Sequence, residues 1–525
     1  MRVTYLVAIS AVAIGLAGCE GGDVGLNVST TDNSVDNSTN TGGGSSDNPC
    51  ASYTNASNNV VRGSFDGTNC TYSASFVGVS NPLATDLTIP FISGVHIFQD
   101  SLFVGQNVTS GVAPAAGDGP TLTIEAGNTL AFSSSADYLL INRGSRIVAE
   151  GSSTAPITFT GFTDAVTGTA SPEDVQLWGG IVINGNGITN NCSDAERAAN
   201  QCHVVSEGQP SNYGGNNNAE NSGILRYVVV KHTGFEVAPG DELNGITFNA
   251  VGSGTTVENV EMYSTYDDGV EFFGGAVNVK NLVALYVRDD SIDFSDGYAG
   301  TVENALVIHS ATNGNRCVEG DNIGEGRSNN GESMDTAPIS SPMIANLTCI
   351  VSNFDAGTHG DSEGPLVRQG GRAQFMDSII FGGYGATTSN ECLEIESPVS
   401  LTAASAGNST ITNTIIVCEE AAKGTFANGD PLADWVNGLA TSTNGANYSN
   451  NTGNVIITAA KDADVEILEP NSFYTKANNA FVNADGAGFT YSGLAIGAVY
   501  GNSDWTANWT YGLHPSNRGQ ALWFE

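Results

Sequence analysis

Apolar and polar positions between residues 256 and 321 recur with a fixed spacing. The stretch divides into TVENVEMYSTYDDGVEFFGGA, NVKNLVALYVRDDSIDFSDGY and TVENALVIHSATNGNRCVEGD. Asn259 recurs as Asn281 and Asn304, at steps of 22 and 23, and Asp267-Asp268 recurs as Asp289-Asp290 at a step of 22. A unit this short cannot bury an apolar face alone. Short β-prone runs broken by Asn, Asp and Gly at this period predict a solenoid whose units stack and share one core.

The same grammar extends in both directions. Residues 122–132 and 139–149 each read strand, glycine turn, strand, and 157–160 and 177–183 continue the series. Residues 185–222 leave the period. They are rich in Asn and Gly, carry Cys192 and Cys202, and predict a loop ejected from the stack with a short helix over 194–200. Periodicity returns at 225–231, and Gly245 to Phe248 aligns with Gly269 to Phe272 and Ser291 to Phe294. Further coils are expected at 345–351, 374–381 and 411–417, with insertions near 321–341 and 353–364. Beyond about 421 the period fades into a short predicted helix at 431–436. The aromatic-rich tail at 502–514 is expected to plug the open end of the solenoid; a sugar-binding patch is the other reading.

Composition agrees. The 525 residues include 65 glycines but only 17 lysines and arginines, which suits turns and strands. The formal net charge of -38 excludes the basic footprint that a nucleic-acid backbone requires. It favours cations, or else a solubilising surface.

The amino terminus reads as a processing segment. Arg2 supplies a positive charge and residues 5–14 form an apolar run too short to span a bilayer. Leu16-Ala17-Gly18-Cys19 then resembles the lipobox of bacterial lipoproteins, which implies that Cys19 is acylated and begins the mature chain. By the same resemblance Glu20, where an Asp favours inner-membrane retention, implies the outer membrane, with the body on its periplasmic or cell-surface side. Residues 1–18 are thus expected as signal peptide and 19–49 as a disordered tether. Residues 50–93 are an N-terminal cap, 94–420 the solenoid, and 421–525 a C-terminal cap. Eight cysteines remain. An even count in an exported chain predicts disulfides, and sequential pairing (Cys50 with Cys70, Cys192 with Cys202, Cys317 with Cys349, Cys392 with Cys418) would clip loops or join adjacent coils.

Five motifs carry a family likeness: TIEAG at 123–127, INRGS at 141–145, LWGGIVI at 177–183, DDGVEFFGG at 267–275 and DWTANWT at 504–510. They resemble exported bacterial surface proteins and lipoproteins. The resemblance implies an all-β fold, a right-handed parallel β-helix of the pectate-lyase-like kind, over roughly 94–515. It implies little about activity, because that fold serves lyases, hydrolases, adhesins and passive spines. In such a fold the repeated Asn259, Asn281, Asn304 and Asn346 would stack at the strand spacing of about 4.8 Å and bond to one another.

Aligned coils place Glu271, Asp293, Glu319 and, after a gap, Glu394 in one column. Val270, Ile292 and Val318 alternate with them, so the acids are expected to face outward. The preceding turns add Asp267, Asp268, Asp289 and Asp290, with Asp296 close by. Calcium takes six to eight oxygens in loose geometry, so Ca2+ between these coils is the candidate cofactor. A solvated acidic face is the alternative. Arg288 and Arg316 lie near enough in sequence to join Glu319 in binding or to serve as a base. His309 lies in an apolar run and His359 in an inserted loop, which places neither convincingly. No Walker loop or HExxH is present. The expected function is a monomeric, lipid-anchored binding module without turnover. Its partner would be an extended polysaccharide or an outer-membrane protein. A Ca2+-dependent polysaccharide lyase or a glycoside hydrolase is one alternative, and a structural or adhesive surface protein another.

Overall fold

A computed structural model describes residues 48–457 apart from 56, 239 and 383–389. It also describes the backbone of 480–482 and 488–490, and residues 496–500 and 504–525. The signal segment, Cys19 and nearly all of the tether fall outside the described residues, as does part of the C-terminal cap. No helix among the described residues is long and apolar enough to cross a membrane.

Successive turns of chain stack in register as a parallel β-helix. Among the described residues its short-strand sheet has nine strands, in the order Leu102–Val104, Leu139–Ile141, Ile181–Asn184, Ile246–Asn249, Val270–Phe273, Ile292–Ser295, Glu319–Gly320, Leu366–Val367 and Glu394–Ile395. The longer strands Gly223–Lys231, Thr256–Tyr263, Asn278–Leu285, Thr301–Ile308 and Met343–Ile350 pair in parallel on the other side of the core.

Each longer strand bends once, at Tyr227 in the first and at the repeated asparagine in the other four. Asn259, Asn281, Asn304 and Asn346 all have φ between 56° and 60°. Asparagine tolerates this left-handed region better than most residues. The bend drops that residue out of the ladder: Glu258 pairs with Lys280 and Val260 with Leu282, while Asn259 and Asn281 are skipped. Alternation therefore restarts, and Val257, Val260 and Met262 all point into the core. The expected amide ladder is present. Asn281 Nδ2 donates to Asn259 Oδ1 at 3.4 Å, and Asn304 Nδ2 to Asn281 Oδ1 at 2.9 Å.

Aromatic rings stack along the interior, as at Phe248 on Phe272 with centroids 5.3 Å apart. All four disulfides join the sequential pairs: Cys50–Cys70, Cys192–Cys202, Cys317–Cys349 and Cys392–Cys418. Parallel pairing already begins at Cys70–Tyr72, which lies beside Val95–Phe98, within residues 50–93.

The carboxyl-terminal tail departs from expectation. It does not plug the open end. That end is closed by Phe426, Tyr448 and the helix Leu432–Val436, whose Leu432, Trp435 and Val436 join the cluster that holds Ile411 and Ile416. The tail lies instead along the flank of the solenoid. Ala498, Val499, Leu513 and Leu522 cover Tyr263, Val283, Leu285, Leu306, Ile308 and Ile350. The reason is the sequence of the strands themselves. Past the bend they are apolar on both faces, so their outer face needs its own cover.

Candidate functional site

The outer positions of the short-strand sheet form one continuous column. Register places Phe103 beside Leu140, then Val182, Thr247, Glu271, Asp293, Glu319, Leu366 and Glu394. The expected acidic column is therefore real, and Leu366 fills the gap before Glu394. Val270 and Ile292 face the core, as alternation requires.

The turns before the strands form a second, hydrogen-bonded ladder. Asn244 Oδ1 accepts from the Asp268 amide at 3.1 Å, and Asp268 Oδ1 from the Asp290 amide at 3.0 Å. Asp290 Oδ1 then accepts from the Arg316 amide at 2.8 Å. One oxygen of each aspartate is thus spent on backbone. The carboxylates also converge. Ligand atoms of Asp268, Glu271 and Asp293 lie within 4.8 Å of one another, as do those of Asp268, Asp289 and Asp290, and those of Asp267, Asp289 and His359.

Solvation of this face differs from the expectation. The acids point away from the coil interior, yet Asp268, Glu271, Asp290 and Glu319 are buried. The ejected loop folds back over them. Its strands Val204–Val205 and Asn212–Tyr213 pair as a hairpin. Ser206 accepts from Asn249 at 2.7 Å, and Tyr213 packs on Phe273 with centroids 6.4 Å apart. Glu207 from this loop reaches Glu271, adding a further carboxyl that sequence reasoning missed. The insertion carrying His359 closes another side, with Nδ1 2.9 Å from Asp289. That places a histidine at the site which the sequence left unplaced.

The cations expected nearby are engaged elsewhere. Arg288 donates to the Glu173 carbonyl at 2.9 Å. Arg316 pairs with Glu363, Glu391 and Glu394, and Lys423 joins the same network. Arg368, which the sequence did not single out, pairs with Glu319 and Asp321. Asp296 is held by Arg327 at 2.8 Å. Among the described residues no ion pair reaches Asp267, Asp268, Glu271, Asp290 or Asp293, and Asp293 Oδ1 has no hydrogen-bond partner.

Burial followed by mutual repulsion raises the carboxyl groups of Asp267, Asp268, Glu271, Asp290 and Asp293 well above the usual range. Glu207 is pushed up to about 7, chiefly by burial. Glu319 is raised by burial even beside Arg368. Unit charges about 5 Å apart repel by about 3 kcal/mol at an effective dielectric of 20. The cluster can settle this in two ways, by taking up protons or by holding a cation. Burial works against charge on His359 too, but its bond to Asp289 holds its pKa above the ordinary value.

A family model described as a pectate-lyase like beta helix domain matches residues 110–510. A search of the curated proteins and a search of the solved structures matched nothing. The register-stacked coils and the extent of that match agree: the chain belongs to the pectate-lyase-like β-helix family.

Proposed function

We propose that the roofed acidic column is a Ca2+ site, and that the protein is a lipid-anchored envelope module that binds an anionic polysaccharide through that ion without cleaving it. The single observation that carries this is the charge imbalance. Asp268, Glu271 and Asp293 converge across two coils, Asp290 joins Asp268 in an adjoining group, and among the described residues none of these four has a paired cation. Calcium suits them because carboxylates on successive coils supply hard oxygens at loose spacing. Asp267 and Asp289 are only partly buried, so this edge would present the ion to solvent and to an acidic polymer.

Binding rather than turnover is supported by the fate of the nearby bases. Arg288, Arg316 and Arg368 are each committed to a partner. The lipobox at Cys19 supports anchoring at the outer membrane. One observation favours a second reading, a polysaccharide lyase or hydrolase: His359 and Asp289 form a close acid–base pair at the open edge.

Thermal melts and polymer binding test the proposal together. Ca2+ is expected to raise the melting temperature of chelator-treated protein. Uronate-polymer binding is expected to require the ion and to release no unsaturated or reducing ends. A melting temperature indifferent to Ca2+ would contradict the site, and new chain ends would favour the enzyme.

A further inference from the structure

The other end of the same column has a different chemistry. Phe103, Leu140 and Val182 are apolar, and Leu243 and Phe235 pack over them. That packing separates this end from the acids. Phe103 and Glu271 are four strand steps apart, about 19 Å at the usual strand spacing. Beside Phe103 opens a cleft of about 300 Å3, at the small end of ligand-sized cavities. Tyr138 stands edge-on to Phe103 at 5.2 Å and forms part of the wall.

The polar lining is uncharged. It consists of amide and hydroxyl groups, with no Asp, Glu, Lys or Arg, in a chain whose net charge is -38. Asn142 is the telling member. It is 3% exposed and lines the cleft, and its Nδ2 donates to the Gly105 carbonyl at 3.0 Å. Its Oδ1 has no hydrogen-bond partner. A buried amide oxygen without a donor is costly, and a ligand hydroxyl would satisfy it. Gln209, also buried, lines the same cleft and donates to Ser211 at 2.5 Å, which fixes its amide in place.

An aromatic and apolar wall beside oriented neutral amides is the chemistry that recognises a sugar ring through its apolar face and its hydroxyl edge. We infer that the Phe103–Tyr138–Asn142 cleft is a binding site for an uncharged oligosaccharide, separate from the acidic column. The site rests on the reading of the protein as a glycan-binding module, but not on any bound ion. The two sites would let one molecule hold an acidic polymer and a neutral one.

The test is calorimetric titration of the mature protein with cello-, manno- and xylo-oligosaccharides in excess chelator. Binding by at least one neutral series is expected. It should weaken about tenfold or more in Tyr138→Ala and survive in Tyr138→Phe. Val79 is 70% exposed at the rim, so Val79→Arg tests obstruction without touching the core. It should abolish binding while leaving the melting temperature unchanged. Asp293→Asn should leave neutral binding intact. Absence of neutral binding overturns the inference, as does binding that neither Tyr138→Ala nor Val79→Arg weakens. Loss in Asp293→Asn would also overturn it and assign the ligand to the acidic column.

Discussion

The side chain of Asp268 accepts a hydrogen bond at 3.0 Å from the backbone amide of Asp290, the equivalent residue one coil later. Each aspartate in this turn therefore has two duties. One oxygen secures the next coil, and the carboxylate adds its charge to the acidic cluster. The coil before shows that the first duty needs no charge, because Asn244 performs it for Asp268. The two duties are separable by mutation. Asp268→Asn keeps the acceptor and removes the charge. It is expected to stabilise the chelator-treated protein at neutral pH and to weaken the response to Ca2+. Asp268→Ala orphans a buried amide and should cost about 1–3 kcal/mol. Chemical denaturation of both variants with and without Ca2+ checks this, and equal destabilisation by the two would contradict it.

The direction of the pH dependence follows from the raised carboxyls. In the unfolded chain these groups titrate near pH 4, whereas in the folded protein they hold protons to higher pH. Their contribution to stability is therefore full below about pH 4 and is lost as pH rises towards the folded values. Without divalent ions the protein should melt at a higher temperature at about pH 5 than at about pH 8. Bound Ca2+ takes the place of those protons, so its stabilising effect should grow over the same range. Glu271→Gln combined with Asp293→Asn should flatten both trends. Calorimetric melts at several pH values read this directly, and a chelated protein more stable at the alkaline end would refute it.

The corner asparagines make a different demand. Asn281 holds a φ of 60° and bonds to the amides above and below it. Asn281→Gly keeps the bend and loses the ladder, at a cost of about 1 kcal/mol. Asn281→Ala loses both and should cost about 2–3 kcal/mol. An alanine variant as stable as the glycine variant would mean that the left-handed bend carries no constraint.

What the sequence made legible was whatever repeats with the coil. Asn259, Asn281 and Asn304 revealed the period, and the same alignment stacked Glu271, Asp293 and Glu319. The expected order of cysteines followed because neighbours in sequence are neighbours in the stack. What it hid was contributed by segments outside the period. Glu207 and His359 arrive from inserted loops, where no register connects them to Asp289 or Glu271. Burial of the acids was hidden for the same reason, since alternation shows which way a side chain points but not what lies above it. The flank under the tail did leave a trace. Runs such as LVALYV at 282–287 and ALVI at 305–308 are apolar without alternation, the mark of a strand covered on both faces.

The tail itself can be tested at Glu261, which is buried beneath it and accepts a hydrogen bond from the Tyr511 amide at 2.7 Å. Burial raises its carboxyl well above the usual range. Its contribution to stability is present at acid pH and lost as pH climbs. Glu261→Gln keeps an acceptor for Tyr511 and does not titrate. Its melting temperature should match the parent at about pH 4.5 and exceed it increasingly towards about pH 8. Trp509 is 1% exposed and packs on Tyr227 with centroids 5.7 Å apart, so Trp509→Ala should cost about 3 kcal/mol or more and expose the flank to a hydrophobic dye. A tail that tolerated Trp509→Ala without either effect would not be the cover described.

The most direct measurement is titration of Ca2+ into chelator-treated protein near neutral pH, followed by calorimetry in two buffers of different ionisation enthalpy. Saturable binding with release of protons, lost in Glu271→Gln combined with Asp293→Asn, is the expected result, because the ion must displace protons from those raised carboxyls. No binding heat in either buffer, with a melting temperature that Ca2+ leaves in place, would mean that protons alone neutralise the column and that it holds no cation.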